Sequence, residues 1–311
     1  MKPTYPKHQY DGVVRFQQLY NFRDLSSASS TNLLYGKVAR CANPVTATYQ
    51  DVNLLLHVFK IRTLIDLRDA EEAATVEDNA NLLQHFVTVD AEENPMPTFN
   101  TRRLVGTGMS EISKRPELKL INERILRLRK ELGPQEAIAA MDMAVFMAVL
   151  LDTQPTFFRK ALNIISRREN HPCLFYCSAG RDRTGCVSML VLKVCGATDD
   201  EIVQDYLKSR CLASGENVFS QPFKISPEQH EYFEKNGFGD DIAQEDTTDV
   251  DDLDKAMDSF FMQLHKQDMV RTIDHIIVKY GSFEKYFDFI GFYEVDRKRL
   301  KNALTTYHAQ L

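Results

Sequence analysis

No stretch of this 311-residue sequence is apolar for long enough to cross a bilayer. The longest, residues 137–151, is interrupted by Asp142 and falls short of the roughly 20 residues a spanning helix needs, so it reads as a buried helix. The first residues hold no apolar leader, which sets a secretory address aside. Six cysteines without paired spacing, in a chain of this size, argue against a disulfide framework and for a reducing, cytoplasmic setting. No Cys/His cluster has zinc-ligand spacing, and the acidic stretch 239–258 lacks the EF-hand pattern of calcium ligands, so no metal or other cofactor is expected. Internal repeats, a glycine-rich nucleotide fingerprint and a basic aromatic surface are missing too. With a formal charge of −6, nucleic acid is not an expected partner.

What the sequence does have is a loop, Tyr176-Cys177-Ser178-Ala179-Gly180-Arg181-Asp182-Arg183-Thr184-Gly185, between an apolar run at 173–177 and a helical run that ends at Gly196. A loop that leaves a strand and enters a helix exposes unpaired N–H groups at the positive end of the helix dipole. Backbone amides of Ser178, Ala179, Gly180, Arg181, Asp182, Arg183 and Thr184 can therefore curl around a phosphate. Arg183 adds a planar, permanently charged fork that can grip two phosphate oxygens. The same surroundings favour the thiolate at Cys177 as a nucleophile toward a phosphate monoester. Thr184 can donate its hydroxyl to the sulfur when that sulfur later leaves. Cysteine and arginine at this spacing alone would arise by chance ~0.4 times in such a chain, but adding Gly180 and Thr184-Gly185 lowers that to roughly 10⁻⁴.

The loop resembles the signature of the cysteine-based protein tyrosine phosphatase superfamily, with Cys177 matching its nucleophile and Arg183 its phosphate-binding arginine. Asn21-Phe22-Arg23-Asp24-Leu25, Leu64-Ile65-Asp66-Leu67-Arg68 and the Cys177 loop occur in the order seen in its branch of atypical tyrosine, dual-specificity and phosphoinositide phosphatases. Residues 198–207 and 289–304 look like that branch's helices after the signature and at its C-terminus, so the resemblance covers roughly residues 12 to 305. It implies a hydrolase working through a cysteinyl-phosphate, on a phosphorylated protein, a phosphoinositide or an inositol phosphate. One departure is plain. Most members have histidine before the nucleophile and this chain has Tyr176, which bears on the rate and not on the nucleophile's identity. The Arg181-Asp182 pair resembles the Lys-Asp or Trp-Asp pairs of phosphoinositide-active members.

Loss of the alcohol needs a proton donor. Asp182 lies in the loop itself, and in branches with similar loops this position is proposed as the acid; its other role would be to hold the loop by hydrogen bonds to backbone amides. Asp90 follows an apolar stretch at 86–89, in the region where the superfamily's usual acid sits on a loop. Asp66 ends a strand candidate and can orient Arg68; Asp69 suits a helix cap. Asp182 and Asp90 are the leading candidates.

Strand candidates at 12–16, 33–38, 61–65, 85–89 and 173–177, separated by helices and loops, predict an α/β fold with a mainly parallel sheet flanked by helices. Residues 1–311 read as one phosphatase domain with a helical, lid-like insertion at about 100–170 and an acidic surface loop at 239–258. Between 102 and 130, nine Lys/Arg face three Glu; within 239–258, nine acidic residues face one lysine. The amphipathic stretch 117–132 carries Leu118, Ile121, Ile125, Leu128 and Leu132 on one face and Arg124, Arg127, Arg129 and Lys130 mostly elsewhere. It could serve as an ordinary solvated helix, a lid, a guide for polyanionic substrates or a peripheral contact with an anionic membrane. Two other functions compete. A catalytically weak phosphate-binding module is suggested by Tyr176, and a sulfur-transfer or arsenate-reducing enzyme would also place a reactive cysteine in an anion-binding loop. Cys173 and Cys186 flank Cys177 and could trap it as a disulfide after oxidation, although buried packing explains both.

Overall fold

The structure is a computed structural model, and it describes residues 13–14, 16–28, 32–69, 80–83, 85–89, 100–103, 115–116, 119–120, 123, 127, 142–209, 223–224 and 265–306. Asp90, the acidic stretch 239–258 and most of the basic segment 102–130 lie outside the described residues. Of that basic segment, 116, 119–120, 123 and 127 are helical, as its periodicity predicts.

Strands β2 (Arg23–Asp24), β3 (Val38–Cys41), β4 (Thr63–Asp66), β5 (Val87–Val89), β6 (Asn100–Arg103) and β7 (Cys173–Tyr176) form one sheet in the order β2-β3-β7-β4-β6-β5. Only β2 runs antiparallel to its neighbour. The α/β fold with a mainly parallel sheet is therefore present. Strand β7 lies between β3 and β4, with Cys173 opposite Val38 on one side and Thr63 on the other. A strand bonded along both edges and covered on both faces selects a continuous apolar run, and Cys-Leu-Phe-Tyr is entirely buried.

The two faces carry separate cores. Leu174 and Tyr176 of β7 point to one, with Phe16, Phe22, Phe59 and helix α1 (Tyr49–Asn53), which continues as a wider π turn over Leu54–Val58. Cys173, Phe175 and Cys177 point to the other. Around it stand α3 (Met143–Thr153), α4 (Pro155–Ile165), α5 (Asp182–Cys195), α6 (Asp199–Leu207), α7 (Lys266–Tyr280), α8 (Phe283–Phe289) and α9 (Glu294–Thr305), while α2 (Ala80–Leu83) sends Leu82 to the first core. Each fully buried Leu, Ile or Phe contributes about 1.5–3 kcal/mol relative to exposure. Asp142, which interrupts the apolar run at 137–151, is the cap of α3: its carboxylate accepts the Val145 N–H at 3.1 Å. Thr198 and Glu201 form a capping box at the start of α6. Among the described residues, no helix is long and apolar enough to cross a membrane.

Three strand expectations change. Among the described residues of 12–16, Val13–Val14 is a strand, β1, and it pairs with β8 (Phe223–Lys224) in a separate two-stranded sheet. The strand expected at 33–38 begins at Val38, because Gly36, at φ +74°, completes a turn whose N–H is held by the Asp24 carboxylate at 2.8 Å. Helix was expected from residue 100 onward, yet Asn100–Arg103 is strand β6. Its four polar residues show no alternation, and their conformation is fixed by pairing with β4 and β5 on either side.

His171 precedes β7, and its Nε2 lies 2.7 Å from the Ile165 carbonyl. Burial, helped by Lys37 and Arg168 and opposed by the Ile165 bond and Glu169, lowers it to about 4 from an ordinary 6.5. The unfolded chain then binds the proton that the folded chain refuses between those values. Stability is expected to fall by on the order of 3 kcal/mol as pH drops through that window. Urea unfolding at pH 7 and pH 4.5 checks this against His171→Gln, which should lose most of that pH dependence; equal slopes in the two proteins would refute it.

Candidate active site

Strand β7 ends at Tyr176, and Cys177, 2 % exposed, begins the loop at the carboxyl edge of the sheet, where parallel α/β sheets take their ligands. The loop is held from behind by donors reaching its carbonyls. Asn43 N–H donates to Ser178 O at 2.9 Å. Asn21 Nδ2 donates to Ala179 O at 3.2 Å and Gly180 O at 2.9 Å, and Arg40 Nη2 to Gly180 O at 2.7 Å. A trans peptide sets its N–H opposite its C=O, so amides of Ala179, Gly180 and Arg181 turn the other way, toward the cradle that the loop encloses. That is a nest of donors with a thiol at its base.

Gly180 adopts φ +63°, and a Cβ built there would overlap the Cys41 carbonyl oxygen and lie 2.6 Å from the Ala42 nitrogen. Gly180→Ala is expected to cost about 2–4 kcal/mol, adding the left-handed penalty to overpacking. A loop shifted by an ångström should also lose roughly 10²-fold in kcat/KM. Thermal unfolding and initial rates measured together check both; a variant as stable and active as wild type would contradict this loop geometry.

Behind the loop lies an ion network that the sequence alone did not reveal. Asp205, on α6, accepts from Arg23 Nε at 2.7 Å and Arg40 Nη1 at 2.6 Å, and all three side chains are at most 3 % exposed. Burial would raise the Asp205 carboxyl, but Arg23 and Arg40 outweigh it and hold it down to about 2. Burial and the neighbouring Arg23 pull Arg40 down to about 10, against the opposing pull of Asp205 and Cys177. Arg40 also donates to Ser188 Oγ at 2.7 Å on α5. One guanidinium thus joins loop, α5 and α6.

The network explains the Asn21-Phe22-Arg23-Asp24-Leu25 motif residue by residue. Asn21, in the left-handed region at φ +56°, reaches the loop; Arg23 reaches Asp205 and donates to Asn21 Oδ1 at 2.5 Å; Asp24 accepts from Ser26 and Gly36 N–H at 2.8 Å each. Phe22 and Leu25 enter opposite cores. In the second motif, Arg68 forks onto Asp66 at 3.0 and 2.8 Å, so Asp66 orients Arg68. Arg68 in turn lies 5.7 Å over the Tyr176 ring. The residue standing where the resemblance predicts histidine is therefore a core side chain, 2 % exposed, beneath a guanidinium. Leu67 O accepts Arg183 Nη1 at 3.3 Å.

Helix α5 starts at Asp182, so Asp182 and Arg183 occupy its first turn. Arg181 lies against Asp182, with Nε 3.0 Å from Oδ1. The Thr184 hydroxyl is buried without a hydrogen-bond partner among the described residues. Cys177 through Thr184 thus run from the end of β7 into the first turn of α5. Cys173 sits four residues earlier on β7, about 13 Å along an extended strand, too far to bridge Cys177. Cys186 shares its core with Cys177, and burial pushes its thiol up.

A family model described as "Tyrosine phosphatase family" matches residues 14–306. The chain is also similar to a protein of Cupriavidus necator named "Putative tyrosine-protein phosphatase", 25% identical over 201 residues, which is 63% of this chain and 62% of that protein's length.

Proposed function

Because the chain belongs to the tyrosine phosphatase family, we propose that it hydrolyses phosphate monoesters through a phosphorylated Cys177. The observation that carries this reading is the loop behind Cys177: three carbonyls tied from outside, amides facing inward, and Arg183 in the first turn of α5. In the first step the Cys177 sulfur attacks phosphorus, the ester P–O bond breaks, and the leaving oxygen takes a proton from an acid. In the second, water attacks phosphorus, the P–S bond breaks, and the Thr184 hydroxyl donates to the departing sulfur. Loop amides and Arg183 hold the equatorial oxygens throughout.

Asp182 is our candidate acid because it stands in the first turn of α5 beside the cradle, and Asp90 is its rival. Asp182→Asn should lower kcat by about 10²–10⁴-fold on esters with poor leaving groups and less on aryl esters. Asp90→Asn, measured alongside, should stay near wild type, and a loss confined to it would reverse the assignment. The substrate class we propose is a phosphorylated protein, on tyrosine or with dual specificity, or else a phosphoinositide or inositol phosphate. Phosphate release from phosphotyrosyl and phosphoseryl peptides, phosphoinositides and soluble inositol phosphates ranks these classes. Acid-quenched turnover should leave phosphate on Cys177. Should every substrate remain intact, the competing reading of a phosphate-binding module, with Tyr176 at the histidine position, would replace this one.

A further inference from the structure

Arg181 invites the reading of a second anion-binding arm, and its placement says otherwise. Its side chain is 6 % exposed. Nε lies 3.0 Å and Nη2 3.3 Å from the two Asp182 oxygens, and Nη2 is 3.9 Å from Met143 Sδ at the start of α3. Tyr206 of α6 packs beside it, 1 % exposed, with a hydroxyl that has no hydrogen-bond partner among the described residues. The guanidinium is thus sealed by α3, α6 and the start of α5.

We propose that Arg181 is a positioning residue for the Asp182 carboxyl and does not contact substrate. The proposal rests on the phosphatase reading above. A two-point fork fixes both the place and the plane of a carboxyl whose task is to meet one leaving oxygen. The other charged or titratable groups around the pair are Asp268 of α7, on which Arg181 acts; Tyr206, on which both Arg181 and Asp182 act; Cys186, on which Asp182 acts; and Cys177. Among these, Arg181 is the cation in contact with the carboxyl.

The test is kcat and KM for wild type, Arg181→Met and Arg181→Lys, on an alkyl and an aryl monophosphate ester and on a soluble inositol polyphosphate. Arg181→Met should lower kcat about tenfold or more on the alkyl ester and the polyphosphate, whose poor leaving groups need the acid, and much less on the aryl ester, with KM unchanged on all three. Arg181→Lys, with the charge restored and the fork lost, should leave kcat on the alkyl ester low. A KM increase confined to the polyphosphate would overturn the proposal in favour of an anion-binding arm. An equal loss on alkyl and aryl esters would overturn it too, even with Cys177 turnover intact. An inactive wild type would instead sink the phosphatase reading itself. Arg181→Lys retains volume and charge, so it carries the test if Arg181→Met does not fold.

Discussion

Cys177→Ser is expected to abolish phosphate release, by roughly 10⁴-fold or more, the scale on which removal of a nucleophile acts. A serine hydroxyl is a far weaker nucleophile than a thiolate, and it offers a poor leaving atom for the second step. The fold should be almost untouched. The contacts that hold the loop come from Asn21, Arg40 and Asn43 and end on the carbonyls of Ser178, Ala179 and Gly180, none on the Cys177 side chain. Urea unfolding of the variant should lie within about 1 kcal/mol of wild type, the usual range for a small change that breaks no network. The variant should still bind a phosphate analogue, because the amides and Arg183 remain. Turnover above about one part in a hundred of wild type would remove Cys177 from the nucleophile's role.

Asp205→Asn should be the most destabilising single change in the site, at about 3–5 kcal/mol. The substitution keeps the volume and removes the charge, leaving Arg23 and Arg40 facing each other with side chains 3 % and 1 % exposed. Their Asp205 bonds are 2.7 and 2.6 Å long, and a neutral amide cannot accept both as strongly. Loss of Arg40's anchor also frees its grip on Gly180 O, so activity should fall with stability. The pH dependence has a definite sign. The Asp205 carboxyl is held down to about 2, against 3.8 in the unfolded chain, so its contribution is complete above 3.8 and is lost as pH falls toward 2. Chemical unfolding of both proteins between pH 7 and pH 3 checks this. A variant within about 1 kcal/mol of wild type would show that the network is not a foundation of the fold.

The loop was legible because everything it needs is local. Strand, thiol, glycine, arginine and helix start follow one another from Cys173 to Gly185, and β7 announces itself by four apolar residues in a row. Strand β6 was not legible, since Asn-Thr-Arg-Arg owes its conformation to partners at 63–66 and 87–89. The same holds for Arg40 and Asp205, single charges far apart in sequence whose meeting is a product of the sheet order and of α6 crossing behind it. Asn21 and Arg23 were noticed through a resemblance, but their tasks, a strap on the loop and a counter-charge to Asp205, need coordinates. Asp69 suits a helix cap by its residue type, and the helix it would cap lies outside the described residues.

Tyr176 and Cys177 are neighbours in the chain and belong to opposite layers, one in the core that holds Phe22, Phe59 and Leu64, the other in the core that holds Phe175, Cys186 and Leu190. The Cys177 sulfur is thereby the tip of a lever whose fulcrum is a single peptide bond. Any repacking of either layer tilts that bond and displaces the tip, even from a side chain many ångströms away. Turnover should consequently report on the condition of the whole interior, so that mild core substitutions on both sides of the sheet register in kcat well before they register in the unfolding midpoint.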